Sequence, residues 1–307
     1  MNNLHPIPLT GINGANPLGF LAALGTFRVA QQINDVPLRL SWAPTGGTWQ
    51  PTLHTPPEIT PESLVEKLDT YLRSQADSPI FTVAKNIKMP VHRFRAYAKS
   101  AIENWFSGDN PAWAAFAAAF SSDGVTDKNG EVEDTGFRTM SGAGHQHFLQ
   151  FMNELARVTT SVHLKEALFG PWSYSDTQFS MRWDPEDDRH YSLRWSNPST
   201  DPAKNVRGAN RLAIEGLPLF PTMPNTSRLD TTGFTGKKSN DTFWIWPIWD
   251  VPITLDVCRS LLASATLTKP NLELVHISPT GVVAIFRSQR ITIDKFRNFT
   301  PATPVGA

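Results

Sequence analysis

The chain has 307 residues, 40% of them hydrophobic, enough to bury a sizeable core in one large domain or two ordinary ones. Lysine and arginine number 28, aspartate and glutamate 28, so the chain is neutral, which argues against a generally basic nucleic-acid binder and leaves only local patches. Cys258 is alone, so no internal disulfide can form, and with no apolar run of transmembrane length and no charged-then-apolar leader the expectation is a cytoplasmic protein without a membrane partner.

Leu9 to Asn34 predicts a strand end, a glycine turn and a long apolar helix. Asn16 is a good N-cap and Pro17 suits the first helical position. Leu18, Leu21, Ala22, Leu24, Gly25, Arg28 and Val29 recur at helical spacing, and Phe20, Ala23 and Phe27 widen the apolar face, as in a central helix. Gly19 and Gly25 each cost about 1 kcal/mol inside a helix, which points to close approach of a neighbouring element. Gly11 and Gly14 fit either a tight turn or a loop whose amides face an anion. Residues 36–55 predict a hairpin turning at Pro44-Thr45-Gly46-Gly47, beside the opening strand. Thr60 caps a predicted helix from Pro61 to about Ser74, with Leu64, Val65, Leu68 and Leu72 on one face.

The one concentrated basic stretch follows. Lys85, Lys88, Arg93, Arg95 and Lys99, with His92, occur without an acid between Lys85 and Lys99. Pro90 starts the predicted helix, with Phe94, Ala98, Ala101, Ile102 and Trp105 as its buried stripe. This is either a solvated face or a phosphate-contacting helix, in which each cation displaces a counterion. Residues 111–120 predict a short buried helix, and an acidic, glycine-rich loop follows. Arg138, Ser141, Gly142 and Gly144 then open a helix predicted over 146–168, an arrangement suited to an anion or to an ordinary helix start. His145 and His147 lack a nearby third ligand, so no zinc site is expected.

Residues 179–199 predict two strands around an acidic turn that holds Asp184, Glu186, Asp187, Asp188, Arg189 and His190. Such a turn can bind a divalent metal, but consecutive acids after a proline commonly face water or form Asx turns. Residues 206–216 predict a short helix, and LPLFPTMP an extended linker. Lys237 and Lys238 form a second basic spot. Phe243 to Asp250 predicts a strand with Trp244 and Trp246 on one face, either a core strand or a stacking platform. A helix is expected over 254–265. The C-terminal region predicts a hairpin turning at Gly281, with Arg287 and Arg290 on opposite faces, and a loose tail from Thr300.

Three segments, taken together, carry a resemblance: GINGANPLGFLAALGTFRVA; FSMRWDPEDDRHYSLRWSNPS with RGANRLAIEGLPLFPTMP; and FWIWPIWDVPITLDVCRSLL. In this order the chain resembles proteins found with type I-G (formerly I-U) CRISPR systems, a group of large-subunit-like and accessory proteins. Pro17, Phe20, Leu21, Ala23, Leu24 and Gly25 match the group's N-terminal helix, and Trp183, Asp184, Pro185, Asp187, Asp188, Arg189 and Tyr191 a more specific stretch. The chain is short for a full large subunit and lacks helicase and histidine-aspartate nuclease motifs. The resemblance therefore implies a non-catalytic subunit, without cofactor, that holds guide RNA, target DNA or another effector subunit. The alternatives are a metal-dependent nuclease built on the Asp184–His190 turn and a protein-only scaffold or regulator of the defence system. The expected fold is a single α+β domain over residues 1–307, an antiparallel sheet covered by helices, with residues 57–170 as a candidate helical insertion and a ferredoxin-like core as an analogy.

Overall fold

A computed structural model describes residues 4–142, 145–187, 204–226, 228–236, 241–269, 271–293 and 296–306. The fold is α+β. Strand β1 (His5–Pro8) leads through the glycine turn into helix α1 (Pro17–Gln32), and β2 (Arg39–Thr45) and β3 (Thr48–Thr55) form the expected hairpin. Gly46 and Gly47, both at positive φ, make its two-residue turn. The antiparallel sheet runs β1-β3-β2. Helix α2 (Pro61–Ser74) starts at a Thr60/Ser63 capping box. The order β1-α1-β2-β3-α2 is that of the first five elements of a ferredoxin-like unit. More helices follow instead of a closing strand: α3 (Pro79–Thr82), α4 (Val91–Ser107), α5 (Pro111–Phe120), α6 (Phe148–Val158), α7 (Ser161–Phe169) and, further on, α8 (Arg207–Gly216). The helix predicted over 146–168 is thus two, broken at Thr159 and Thr160. Thr160 caps α7, its backbone N–H donating to His163 Nδ1 at 3.1 Å.

Beyond α8 come β4 (Thr222–Asn225), β5 (Arg228–Thr231), β6 (Phe234–Thr235), β7 (Phe243–Trp249), α9 (Leu255–Leu262), β8 (Val282–Ile293), β9 (Phe296–Phe299) and β10 (Thr303–Pro304). They form a second antiparallel sheet, β10-β8-β7-β6 with β9 on β8, and a separate β4-β5 ribbon. The strands thus fall into separate sheets, and Leu40 of β2 makes an isolated antiparallel bridge to Ile253, in the segment between β7 and α9. Other local expectations change as well. Part of the predicted proline linker pairs as β4. The residues before Gly281 form 3-10 turns, because β8 takes β7 as its partner. The tail is held on β8, where Val305 N donates to Ile285 O at 2.9 Å. Residues 179–184 form no strand, and the second half of that predicted pair lies outside the described residues.

Helix α1 is the centre, with every residue from Pro17 to Ala30 buried. The Asn16 side chain accepts from Gly19 N at 3.1 Å, so the predicted cap forms. Its apolar circumference is met on one side by indoles: Phe20 lies 5.5–6.3 Å, centroid to centroid, from Trp42, Trp244, Trp246 and Trp249. All four are buried, so β7 is a core strand and not a stacking platform. On the other side α8 packs against α1. A Cβ on Gly25 would intrude on the Leu212 carbonyl oxygen, and one on Gly216 would lie 2.7 Å from Leu21 O. The two glycines let the helix backbones touch, and this is the close approach the sequence implies.

Candidate nucleic-acid interface

The glycine turn before α1 is not an anion nest. The amides of Gly11, Gly14 and Asn16 donate to Leu168 O, Trp49 O and Asn13 O, at 2.9, 2.7 and 3.1 Å. These three amides are used in packing. The same holds at the start of α6. Phe148 N donates to Asn86 Oδ1 at 2.7 Å, and Leu149 N and Gln150 N share Lys85 O at 3.0 and 3.2 Å. The basic segment caps α6 with its own backbone. Arg138 turns away from α6 and is buried, its Nε 2.7 Å from Asp134. Ser141 is exposed, and Gly142, at φ 102°, donates to Gln146 O at 2.9 Å. These residues do not converge on one anion. Gly144, Lys237 and Lys238 lie outside the described residues.

Helix α4 carries the remaining candidates. Its buried face is Phe94, Tyr97 and Ala101, which pack on α5 through Tyr97 and Trp113, 5.6 Å between centroids. The predicted stripe was rotated by about one residue and ran too far. After Ala101 the helix passes the edge of the core, and Ile102, Trp105 and Phe106 are 52%, 53% and 77% exposed. Trp105 and Phe106 hold an edge-to-face contact at 4.9 Å. His92, Arg95, Lys99, Ile102 and Phe106, spaced three and four apart, form one exposed stripe. Basic groups occupy its first half and apolar groups its second.

The acidic loop after α5 folds back onto the basic segment. Lys88 lies 2.6 Å from Asp127, a pair in which the hydrogen bond raises the ammonium pKa and lowers that of the carboxyl. Lys88 therefore ties the 127–131 turn in place. Arg95 pairs with Asp123 at 2.8 Å and Lys99 with Glu103 at 3.8 Å, both largely exposed, while Arg93 bonds the Val83 carbonyl. Lys85 and His92 are exposed. Exposed pairs are worth about 0.2–1 kcal/mol. A phosphate can take the place of Asp123 or Glu103 at little cost, whereas Lys88 is committed to the fold.

In the acidic turn, Asp184 is 3% exposed and buried against the start of α1. It accepts from Asn16 Nδ2 at 2.9 Å and from the Tyr174 hydroxyl at 3.2 Å. Burial holds its carboxyl above the usual range, against the pull of those donors. Asp184 thus serves as an anchor for the α1 cap. Among the described residues no three His, Cys, Asp or Glu side chains are grouped to hold a metal ion. Asp188, Arg189 and His190 lie outside the described residues. No helix among the described residues is long and apolar enough to cross a membrane.

Sequence reasoning placed the stacking aromatics on β7. The structure buries those and exposes Trp105 and Phe106 instead. The available signal was the Asn104–Asn110 run of polar and glycine residues around Trp105-Phe106, which marks a helix end projecting into solvent. No protein-family model matches the chain, and no curated protein is significantly similar to it.

Proposed function

We propose that the chain is a non-catalytic, cytoplasmic nucleic-acid-binding subunit of a CRISPR-type antiviral effector ribonucleoprotein, holding guide RNA or target DNA on α4 beside other effector subunits. One observation carries the binding part: His92, Arg95 and Lys99 continue into Ile102, Trp105 and Phe106 on exposed helix surface. Cations for phosphates next to bare aromatic rings for bases are the two ingredients of single-strand binding, where each stacked base contributes about 1–3 kcal/mol. The CRISPR part rests on the three resembling sequence segments.

The test is fluorescence anisotropy of labelled single-stranded RNA and DNA between 50 and 200 mM salt, conditions over which phosphate-driven binding weakens steeply. Arg95→Glu with Lys99→Glu should weaken binding at least about tenfold and flatten the log–log salt dependence by about 2. Trp105→Ala with Phe106→Ala should weaken it with the slope unchanged. Unchanged affinity in both pairs removes α4 from the function. Purification from host cells tests the assembly, which predicts guide-sized RNA and partner subunits in the same fraction. The bare aromatic end of α4 also suits a protein-only scaffold, which predicts a partner complex insensitive to salt and lost in the aromatic variant alone.

A further inference from the structure

Away from α4, a polar cavity of about 200 Å3 opens between the loop before α6 and strands β5, β6, β8 and β9. Arg228, Arg290 and Arg297 line it, and Arg138 lies directly behind. Three carboxylates, Glu133, Asp134 and Asp230, also line it, so the lining itself is neutral and the one positive charge in excess comes from counting Arg138 behind it. The pairing is uneven. Arg228 takes Asp230 at 2.6 Å, while Arg138 and Arg297 share Asp134 at 2.7 and 3.2 Å. Arg290 has no carboxylate within salt-bridge distance among the described residues. Its Nη1 donates to Gly136 O at 2.7 Å, and its Nε–H makes no hydrogen bond.

We propose that this cavity is a binding site for a phosphate group. A tetrahedral oxyanion there supplies the counter-charge that Arg290 lacks. Guanidinium forks converging from separate strands match its oxygens as point-like ammonium groups would not. The cavity is smaller than the roughly 300–1,000 Å3 of pockets that enclose drug-sized ligands. It therefore takes the phosphate and its first bonded atoms, not a whole nucleotide. The electrostatics agree. Burial, then the neighbouring Arg297, press the Arg290 pKa down to about 10, as expected where a cation lacks its counter-charge. The site is independent of the α4 reading, since it shares no residue with that stripe.

The experiment follows the arginine side-chain Nε–H signals by NMR while inorganic phosphate is titrated against sodium chloride of equal ionic strength. Phosphate should shift the Arg290 and Arg297 signals saturably, and chloride should not. Arg290→Gln should weaken phosphate binding at least about tenfold, the scale of one lost charge-assisted contact. If that variant fails to fold, Arg297→Gln, whose side chain is 30% exposed, should weaken it several-fold with its melting temperature retained. The Arg95→Glu, Lys99→Glu variant should bind phosphate as the wild type does. A 5′-phosphorylated RNA octamer that competes with phosphate, where its 5′-hydroxyl twin does not, identifies the source as an oligonucleotide end. Competition by neither octamer identifies a free phosphate. No shift beyond that of chloride, undiminished binding in the folded arginine variants, or loss of phosphate binding in the α4 variant would overturn the assignment.

Discussion

Glu215→Gln should be among the most damaging single substitutions in this chain. The Glu215 side chain is fully buried and bridges two buried arginines, Arg28 on α1 and Arg211 on α8, the latter at 2.8 Å. Glutamine keeps the volume, so the loss measures charge and not a cavity. Removing one partner of a buried ion pair costs about 3–5 kcal/mol, because the other charge stays buried without compensation. Here one carboxylate serves two guanidiniums. What remains for them carries no charge: Arg28 keeps its Nε bond to the Glu215 carbonyl oxygen at 2.5 Å, donates to Gln32 at 3.3 Å and lies 5.5 Å from the Phe116 ring, and Arg211 donates to Leu72 O at 3.3 Å and lies 5.9 Å from Phe81. Against a typical total stability of about 5–15 kcal/mol, a loss of at least about 3–5 is large. Each kcal/mol lowers the melting temperature by about 2–4 °C in chains somewhat shorter than this one, so a fall of about 5–15 °C is expected by calorimetry. The triple variant Arg28→Met, Arg211→Met, Glu215→Leu should recover most of that loss, since a well-packed apolar trio stands in well for a buried ion cluster. A Glu215→Gln protein melting within about 2 °C of wild type would refute the reasoning, because the same scale converts that shift to under about 1 kcal/mol.

Two further predictions follow from α1. Gly25→Ala gains helix propensity of about 1 kcal/mol but forces a methyl into the Leu212 carbonyl, so a net loss of about 1–3 kcal/mol or more is expected in urea unfolding, and wild-type stability would show that α1 and α8 do not touch there. For Asp184, the folded pKa is raised, so its burial penalty is absent below the ordinary carboxyl range and grows as pH rises through the folded value. Asp184→Asn should therefore gain on the wild type between acid and neutral pH, while Asp184→Ala, which leaves the Asn16 amide without its acceptor, should lose about 1–3 kcal/mol. Paired urea titrations at pH 4 and pH 7 read both, and a pH-independent difference between wild type and the asparagine variant would show that Asp184 is not buried as an anion.

What was legible in the sequence was local. Asn16-Pro17, Gly46-Gly47 and Thr60 act on neighbours within four residues, and each formed the cap or turn expected of it. The unbroken apolar run of α1 marked it as central for the same reason. The α4 stripe failed because apolar residues occupy more than half its circumference, so two faces rotated by one residue satisfy the same period. Which one is buried was decided by α5, through Trp113. The basic segment looked unopposed because its acids, Asp123 and Asp127, stand some thirty residues or more away and meet it only when the loop folds back. Arg28 was a visible clue, a lone cation on an apolar helix. Arg211 and Glu215 at helical spacing were its complement, but nothing local joined the two helices.

The segments that carry the CRISPR resemblance converge on α1. Asn16 of the first donates to Asp184 of the second, Gly25 receives Leu212 of α8, and Trp246 of the third donates to Gly14 O at 2.9 Å. These residues are buried or sit at the α1 cap, while Asp188, Arg189 and Tyr191 lie outside the described residues, and a likeness carried by core residues can hold between proteins with different tasks. A substitution in those segments that abolishes activity reports first on folding, since a loss of 1–2 kcal/mol alone can change abundance several-fold. Only variants away from them separate function from stability. Arg95, Lys99, Trp105 and Phe106 are exposed, and Arg297 is partly so, which makes them the positions where lost binding with an unchanged melting temperature is achievable. If Arg95→Glu with Lys99→Glu leaves both melting and nucleic-acid affinity untouched while core variants abolish binding, the binding surface lies elsewhere, and the core resemblance has been mistaken for a functional one.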